Sequence, residues 1–150
     1  PSTWPYQMEI EVKPDADGVI AMQGNKRFGL KLFVQDGRPG MTVLCKSWIA
    51  VHTTIDGPQS ILGKWTHLKA EIDYNRVVFT VDGKAVQTLS LPQPFKYKTK
   101  SSLFIGSVGE HAIYDKVPHS PFRGEIRTLR IQRELSSEPA WPDTPANLFR

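Results

Sequence analysis

The carboxylates of this chain include two pairs with the spacing of a glycoside-hydrolysing site. Glu9 with Glu11, and Glu71 with Asp73, each stand two residues apart, so each pair shares one side of an extended strand. Retaining hydrolysis needs two carboxyl groups roughly 5 Å apart across the bond that breaks. Both pairs alternate with apolar residues and have a lysine beside them, so we interpret them as solvated strand faces.

Other catalytic arrangements lack their minimal residues. The sequence holds no Gly-x-Ser-x-Gly, no phosphate-binding loop and no His-Glu-x-x-His, which argues against serine hydrolases, nucleotide enzymes and zinc proteases. The four histidines, His52, His67, His111 and His119, are scattered, whereas a nucleophile or base needs positioned partners. We therefore predict no catalytic residue and assign the histidines structural or surface roles.

A first candidate binding group combines aromatic and basic side chains. Sugar rings stack their apolar faces on aromatic residues. If the apolar residues at 49 and 51 face a core, Trp48 and His52 face outward, and Phe33 with Lys31 does the same on a nearby strand. This pattern predicts an exposed ligand-binding patch at Phe33, Trp48 and His52. The alternative is that Trp48 covers a hairpin end or the edge of a sheet.

A second candidate binding group is basic and lies in and after an extended segment. Residues 96, 98 and 100 are lysines on one side of that segment, and the long loop 107–121 that follows adds polar and aromatic side chains. Three amines in a row suit sulfates or carboxylates. The alternative is an edge strand that lysines protect against pairing with other chains. The residues predicted to bind ligand here are Lys96, Tyr97, Lys98, Lys100, His111 and Tyr114.

The elements that must position these groups are short β-strands. Apolar and polar residues alternate over residues 8–12, 30–34, 66–72 and 77–81, which gives each strand one buried face. Four Asp-Gly pairs, beginning at Asp17, Asp36, Asp56 and Asp82, are typical of hairpin turns. Further strands are predicted at 18–22, 41–45, 49–53, 86–91, 103–106 and 126–132. The fold class is therefore all-β, a sandwich of two antiparallel sheets.

Length and composition bound the organisation of the chain. The 150 residues suit a single domain, with a core over about 6–135 and proline-rich ends that we expect to be linkers or tails. The missing initial Met and these ends suggest a module cut from a longer chain. The lone Cys45 cannot form an internal disulfide and does not identify a compartment.

Charge and hydropathy narrow the classes of partner. The net charge of +4 is mildly basic, which favours an acidic partner without identifying one. The sequence has no basic helix, no zinc-ligand spacing and no aromatic pair of an RNA-binding motif, so we do not expect nucleic acid. It also has no stretch of about eighteen apolar residues, so we do not expect a membrane-spanning segment.

Seven segments carry a further signal through their order along the chain. They are residues 18–24, 28–37, 63–68, 77–84, 103–106, 122–126 and 129–131. In this order they resemble the laminin-G-like, or concanavalin-A-like, jelly-roll superfamily over about residues 18–135. The resemblance implies a jelly roll that binds polysaccharides, glycosaminoglycans or proteins, often as an appendage of a secreted glycan-processing enzyme. It also implies a secreted or periplasmic location.

The resemblance bears on single residues as well. It favours a structural role for Trp65 and His67, and of the motifs found in lyases of this fold only Arg133-Glu134-Leu135 has a counterpart, at the wrong end of the chain. Related domains often hold calcium at a loop rim, so a structural calcium ion is the one cofactor considered. Turn chemistry is the competing explanation for the loop aspartates. The candidate ligands are Asp15, Asp17, Asp36, Asp56 and Asp115.

Together these observations predict a noncatalytic carbohydrate-binding module. It would target an attached secreted enzyme to a polysaccharide, with acidic and sulfated polymers among the candidates, because tethering raises the local concentration of the enzyme. The alternative is a structural or protein-interaction domain packed against a neighbouring catalytic domain. A divergent polysaccharide lyase or glycoside hydrolase is the third alternative. Fold by itself does not decide among these functions.

Overall fold

Ten β-strands build the part of the chain that the computed structural model describes, residues 6–24, 29–46, 49–54, 60–95, 102–106 and 120–133. These ranges contain no helix long and apolar enough to span a bilayer. In chain order the strands are β1 (Tyr6–Pro14), β2 (Gly18–Gly24), β3 (Gly29–Gln35), β4 (Arg38–Lys46), β5 (Ile49–Thr54), β6 (Thr66–Asp73), β7 (Arg76–Val81), β8 (Lys84–Ser90), β9 (Ser102–Ile105) and β10 (Gly124–Arg133).

The strands form two five-stranded sheets. Sheet A has the order β10-β1-β6-β7-β8, and sheet B has the order β5-β4-β3-β2-β9. Every pair of neighbouring strands is antiparallel. The structure thus confirms the predicted all-β jelly roll of two packed sheets.

The dry interior follows from the alternation seen in the sequence. In β1 and β6 every second residue is buried and the residues between are partly exposed. Leu30, Leu68 and Phe79 are fully buried members of one core cluster that both sheets share. Burying such side chains contributes about 1.5–3 kcal/mol each, and this burial holds the two sheets face to face.

Two of the four Asp-Gly pairs form the predicted hairpin turns. Asp36 and Gly37 join β3 to β4 with φ of 53° and 75°, and Asp82 and Gly83 join β7 to β8 with φ of 51° and 80°. Two consecutive positive φ angles match the twist of a hairpin, and Asp-Gly tolerates them well. The pair that begins at Asp56 lies outside the described residues.

The hairpin predicted at Asp17-Gly18 is wrong, because β1 and β2 belong to different sheets. Gly18 is needed for a different reason: a Cβ at this position would lie 2.6 Å from the carbonyl oxygen of Pro121. The Asp17 carboxylate instead accepts the backbone N–H groups of Asp36 (2.7 Å) and Gly37 (2.9 Å). It therefore ties the connection between the sheets to the β3–β4 turn.

A second connection between the sheets runs through residues 120–123. Val19 donates its backbone N–H to the Ser120 carbonyl at 2.9 Å, and Phe122 donates to the Gly106 carbonyl at 2.9 Å, before the chain enters β10. The segment thus passes from the β2–β9 side of sheet B to the β10 edge of sheet A. This path places β9 and β10 on the same side of the sandwich.

One side-chain hydrogen bond also crosses the interior. The Tyr6 hydroxyl on β1 donates to Gln23 Oε1 on β2 at 2.7 Å, and both residues are buried. The Tyr6 ring packs against Phe95, with ring centroids 5.9 Å apart. These contacts fix the end of the sandwich where Tyr6 and Arg133 are register partners.

Candidate functional site

The outer face of sheet A carries most of the described charged side chains on strands. Residues 7, 9, 11 and 13 of β1 alternate with the core and pair in register with β10, and the first three of them also pair with β6. The glutamates of β1, an interior strand of sheet A, therefore lie between side chains of both neighbouring strands. We call the outer face of β10, β1, β6 and β7 the charged face.

Glu9 contacts a nitrogen-bearing side chain on each side, a histidine on β6 and an arginine on β10. Its Oε2 atom lies 2.5 Å from His67 Nε2 on β6, and its Oε1 atom lies 3.7 Å from Arg130 Nη1 on β10. Lys69 Nζ lies 3.8 Å from Glu71 Oε1 on the same face. The predicted solvated strand face is confirmed, and Glu9, Glu11 and Glu71 each have a lysine or arginine within 4 Å.

Glu11 is held by two donors from β10. Arg127 Nη2 donates to Oε2 at 2.9 Å and Thr128 Oγ1 donates to Oε1 at 3.1 Å. These two hydrogen bonds, that from Arg127 first, lower the pKa of Glu11 below its ordinary value. The register of β1 with β10 shifts between Glu11 and Val12, and Arg127 is the extra residue, as a β-bulge that re-aims a side chain would place it.

The same arginine stacks on an exposed indole. The Arg127 guanidinium carbon lies 4.2 Å from the centroid of the Trp65 ring, which stands just before β6 and is 36% exposed. Such cation–π contacts contribute about 0.5–1 kcal/mol at exposed sites. We call Trp65, His67, Glu11, Arg127 and Thr128 the Trp65 cluster.

The electrostatics of these carboxylates oppose glycosidic catalysis. A general acid for this reaction needs a carboxyl group whose pKa is raised. The pKa of Glu11 is lowered instead, because Arg127 and Thr128 hydrogen-bond its charged form. Glu9 is also engaged, by His67 and Arg130. The geometry suits a surface that presents fixed donors, acceptors and a ring.

The described loops give turn chemistry for one of the proposed calcium ligands. Both carboxylate oxygens of Asp17 accept backbone N–H groups of the β3–β4 turn. Within the described residues, no group of three or more His, Cys, Asp or Glu side chains could hold a metal ion. Asp56 and Asp115 lie outside those residues, so a calcium ion stays a prediction.

The outer face of sheet B differs from its predicted form. Phe33 and Lys31 lie outside the core cluster, as expected for the opposite face, but both are fully buried. The exposure predicted for Phe33 is therefore wrong, and its ring is not accessible to a sugar in this structure. Val19 and Thr42 share this burial.

Most of the predicted binding residues fall where the structure gives no description. His52 lies in β5, where its backbone pairs with Thr42, and its side chain is outside the described set. Whether the predicted groups meet therefore lies outside the described residues, and their ligand-binding role stays a prediction. The residues outside the described ranges are Trp48, Lys96, Tyr97, Lys98, Lys100, His111 and Tyr114.

The Trp65 cluster was not among the predicted binding residues. The alternation of β6 does place Trp65 and His67 on the outer face, so that signal was in the sequence. Trp65 and Arg127 are 62 positions apart in the chain, and they meet only because β10 and β6 lie on either side of β1 and because β10 has a bulge at Arg127. Neither of these features has a sequence mark that is specific enough to predict.

Comparison with known proteins gives one matching family and several solved structures of the same fold. Residues 13–134 match the model described as the laminin G domain. Domains LG4-5 of the mouse laminin alpha1 chain align with a TM-score of 0.66 and 16% identity, over 87% of this chain and 36% of that one. This chain thus spans about a third of the length of that solved LG4-5 chain.

Two bacterial structures with bound sugars share the fold. The CBM40 of the Ruminococcus gnavus IT-sialidase, bound to α2,3-sialyllactose, aligns with a TM-score of 0.67 and 12% identity over 93% of this chain and 80% of its own. Domain 4 of AbnA, a GH43 extracellular arabinanase from Geobacillus stearothermophilus in complex with arabinotriose, aligns with a TM-score of 0.61 and 23% identity, covering 86% and 61%. At these identities the likeness establishes the fold. No curated protein matches the chain.

Proposed function

This chain belongs to the laminin G domain family, and from that membership we propose that it is a noncatalytic carbohydrate-binding module. It targets an attached, secreted or periplasmic enzyme to a polysaccharide. Support comes from domains of the same fold that were solved with sialyllactose and with arabinotriose. The extracellular arabinanase that carries one of these domains supports the location. Burial of Cys45 keeps a free thiol compatible with it.

One observation of the described structure carries the proposal: an exposed indole stands beside carboxylates that are already paired. Trp65 offers apolar ring surface, while Glu11 and Arg127 offer acceptors and donors held in place by each other. This combination of a ring with fixed polar groups is what sugar recognition needs. The lowered pKa of Glu11 argues against an acid catalyst.

Binding and catalysis are tested on the same protein. The chain is run in native gels that contain a panel of soluble polysaccharides, and the release of reducing ends from each polymer is measured in parallel. We expect retardation by at least one polymer and no release of reducing ends. Release of product that disappears in Glu11→Gln would show that the module is an enzyme.

The residues predicted outside the described ranges enter the same experiment. Trp48→Ala and a triple Lys96, Lys98 and Lys100 substitution to Ala are compared with Trp65→Ala. Loss of retardation in either of the first two variants, with Trp65→Ala unchanged, would move the site to the predicted residues. An unchanged pattern in all three would exclude every site proposed for this module.

A second candidate function, a domain that packs on a neighbouring catalytic domain, has its own observation. Leu103 and Ile105 of edge strand β9 are 39% and 52% exposed, and the apolar residues of edge strand β10 are only partly buried. The occupant that this alternative names is an adjoining catalytic domain.

Hydrogen exchange distinguishes this alternative. The amides of residues 103–105 are compared in the isolated chain and in the full-length gene product. Added protection confined to β9 and β10 in the longer protein supports docking of an adjoining domain. Equal exchange in both proteins rules out this use of the edge.

A further inference from the structure

We propose that the Trp65 cluster binds a neutral oligosaccharide and not an acidic or sulfated one. This inference rests on the proposed carbohydrate-binding function and specifies its ligand class. It differs from the expectation drawn from Lys96, Lys98 and Lys100, which concerns another part of the chain.

The first support is the charge of the face. Among described strand positions of β10, β1, β6 and β7 that face outward by register, four carry Lys or Arg and five carry Glu or Asp. The bulge residue Arg127 reaches the same face through its bond to Glu11 and adds a fifth cation, so the formal sum is zero with His67 neutral. The chain as a whole carries +4, so its excess positive charge lies elsewhere. The cations are Lys13, Lys69, Arg76, Arg127 and Arg130, and the carboxylates are Glu9, Glu11, Glu71, Asp73 and Glu125.

The second support is that Arg127, which stacks on Trp65, and Arg130 on the same strand both have a carboxylate partner. Arg127 donates to Glu11, and Arg130 lies within 4 Å of Glu9. A sulfate or uronate placed here would compete with a glutamate for each guanidinium and would also be repelled by that glutamate. The balanced face therefore offers no net attraction to an anion.

A neutral sugar meets no such conflict. A carboxylate has about four lone-pair sites, and Arg127 and Thr128 use one site on each oxygen of Glu11. The remaining sites accept sugar hydroxyl groups. The free N–H groups of a guanidinium donate to ring or hydroxyl oxygens in the same plane.

The ring is also positioned before a ligand arrives. Arg127 both stacks on Trp65 and bonds to Glu11, so one side chain fixes the indole against the sheet. A ring held in place loses less conformational freedom on binding, and this raises affinity for a given contact area. Stacking on an apolar sugar face does not depend on ligand charge.

The test uses polymers that differ mainly in charge. Binding of the chain to dextran, arabinan and galactan is compared with binding to dextran sulfate and polygalacturonate by titration calorimetry. Each measurement is made at about 50 mM and about 500 mM NaCl, because high salt screens exposed charges. We expect a neutral polymer to bind, with an affinity that changes less than about twofold with salt.

Variants assign that binding to the cluster. Trp65→Ala is expected to weaken it about tenfold, Trp65→Phe to retain most of it, and Arg127→Gln to weaken it without removing the ring. The matched control is Tyr74→Asn: Tyr74 is 51% exposed in the β6–β7 turn, with a φ of 58° that Asn tolerates. Circular dichroism confirms that each variant is folded.

The outcomes separate the two levels of the proposal. Preference for dextran sulfate or polygalacturonate, with affinity that falls steeply with salt, overturns the neutral class and leaves a carbohydrate-binding module. Neutral binding that is unchanged in Trp65→Ala and Arg127→Gln overturns the assignment to this cluster. If no polymer binds to the folded protein, the carbohydrate-binding function fails as well.

Discussion

Sheets A and B share one core but differ on their outer faces. In β1 and β6 of sheet A, burial alternates residue by residue, and the outer positions are charged and partly exposed. In sheet B, every residue of β2 and six of the seven residues of β3 are buried. A sheet buried on both faces has no free surface in its middle strands, so sheet A offers the broader described outer face, and sheet B offers exposed apolar side chains at its edge strand β9.

The difference is visible in the amino-acid pattern. Strand β1 alternates Met, Ile and Val with Glu and Lys, whereas β2 reads Gly-Val-Ile-Ala-Met-Gln-Gly without a charge. Strict alternation is typical of a half-buried strand, and a continuous apolar run is typical of one buried on both sides. The apolar run in β2 indicates a sheet that is covered on both faces, and an aromatic side chain on the neighbouring strand β3 is then buried whichever way it points.

The largest effect is expected when the buried rings of Phe33 and Phe79 are removed, and it tests whether Phe33 is buried in solution as completely as Phe79. Phe33→Ala in sheet B and Phe79→Ala in sheet A should each lower the free energy of unfolding by about 3–5 kcal/mol, because both rings are fully buried. Urea denaturation measures both values. Val86→Ala on β8 is the control: Val86 is 38% exposed, so its cost should stay within about 0.5 kcal/mol. A cost for Phe33→Ala close to that of Val86→Ala would restore a surface role.

The next largest loss of unfolding free energy is expected at Gly124, where the connection between the sheets enters β10. Gly124 has a φ of 143°, and a Cβ there would lie 2.2 Å from the Lys13 carbonyl oxygen. Gly124→Ala should therefore cost about 3 kcal/mol, through backbone strain and overpacking together. Gly83→Ala has a positive φ but open space around the Cβ, so about 1–2 kcal/mol is expected. Equal losses in thermal or urea unfolding would mean that β10 does not approach Lys13 closely.

The hydrogen bond between the sheets should have a smaller effect. Tyr6→Phe removes the donor to Gln23 and leaves a buried acceptor with one partner fewer, which costs about 1–2 kcal/mol. A double-mutant cycle of Tyr6→Phe with Gln23→Met should show a coupling of about 1 kcal/mol. The cycle with Gln35→Met, at the other end of sheet B, should show none. Coupling that is equal in both cycles would exclude a specific bond across the interior.

The fold could be predicted because its signals are local. Alternation in residues 8–12 and 66–72 and the turns at Asp36 and Asp82 depend on neighbours in sequence. The hairpin predicted at Asp17 is wrong because the chain crosses to the other sheet there. Gly18 lacks a Cβ that would clash with the backbone of Pro121, which is about a hundred residues away in the chain. A dipeptide marks a possible turn but does not show which sheet the next strand joins.

The candidate site was less predictable because it is assembled across strands. Outward alternation gives the face of Trp65 and of Glu11, but their link through Arg127 requires the order β10-β1-β6 and a bulge in β10. The burial of Phe33 likewise depends on the tertiary covering of sheet B and not on the alternation within β3. Sequence could thus supply the residue types of a binding surface without showing which ones meet.

The smallest expected effect is on the titration of the charged face. The pKa of Glu11 is lowered in the folded protein by Arg127 and Thr128, so its charged form favours the fold at pH values above its unfolded pKa of about 4.3. That contribution is lost as the pH falls through the lower, folded pKa. The described central strands of sheet B carry no carboxylate, so we expect no comparable titration there.

Carbon-detected NMR of the Glu11 carboxyl group measures this directly. In Arg127→Gln the pKa should rise back toward its ordinary value, because the hydrogen bond that contributes most is removed. Arg76→Gln is the control, since Arg76 stands at the opposite end of β7, beside Asp73, and should leave Glu11 unchanged. If Glu11 titrates alike in all three proteins, Arg127 does not hold it in solution. The indole beside it would then lack the fixed cation on which the binding surface of sheet A depends.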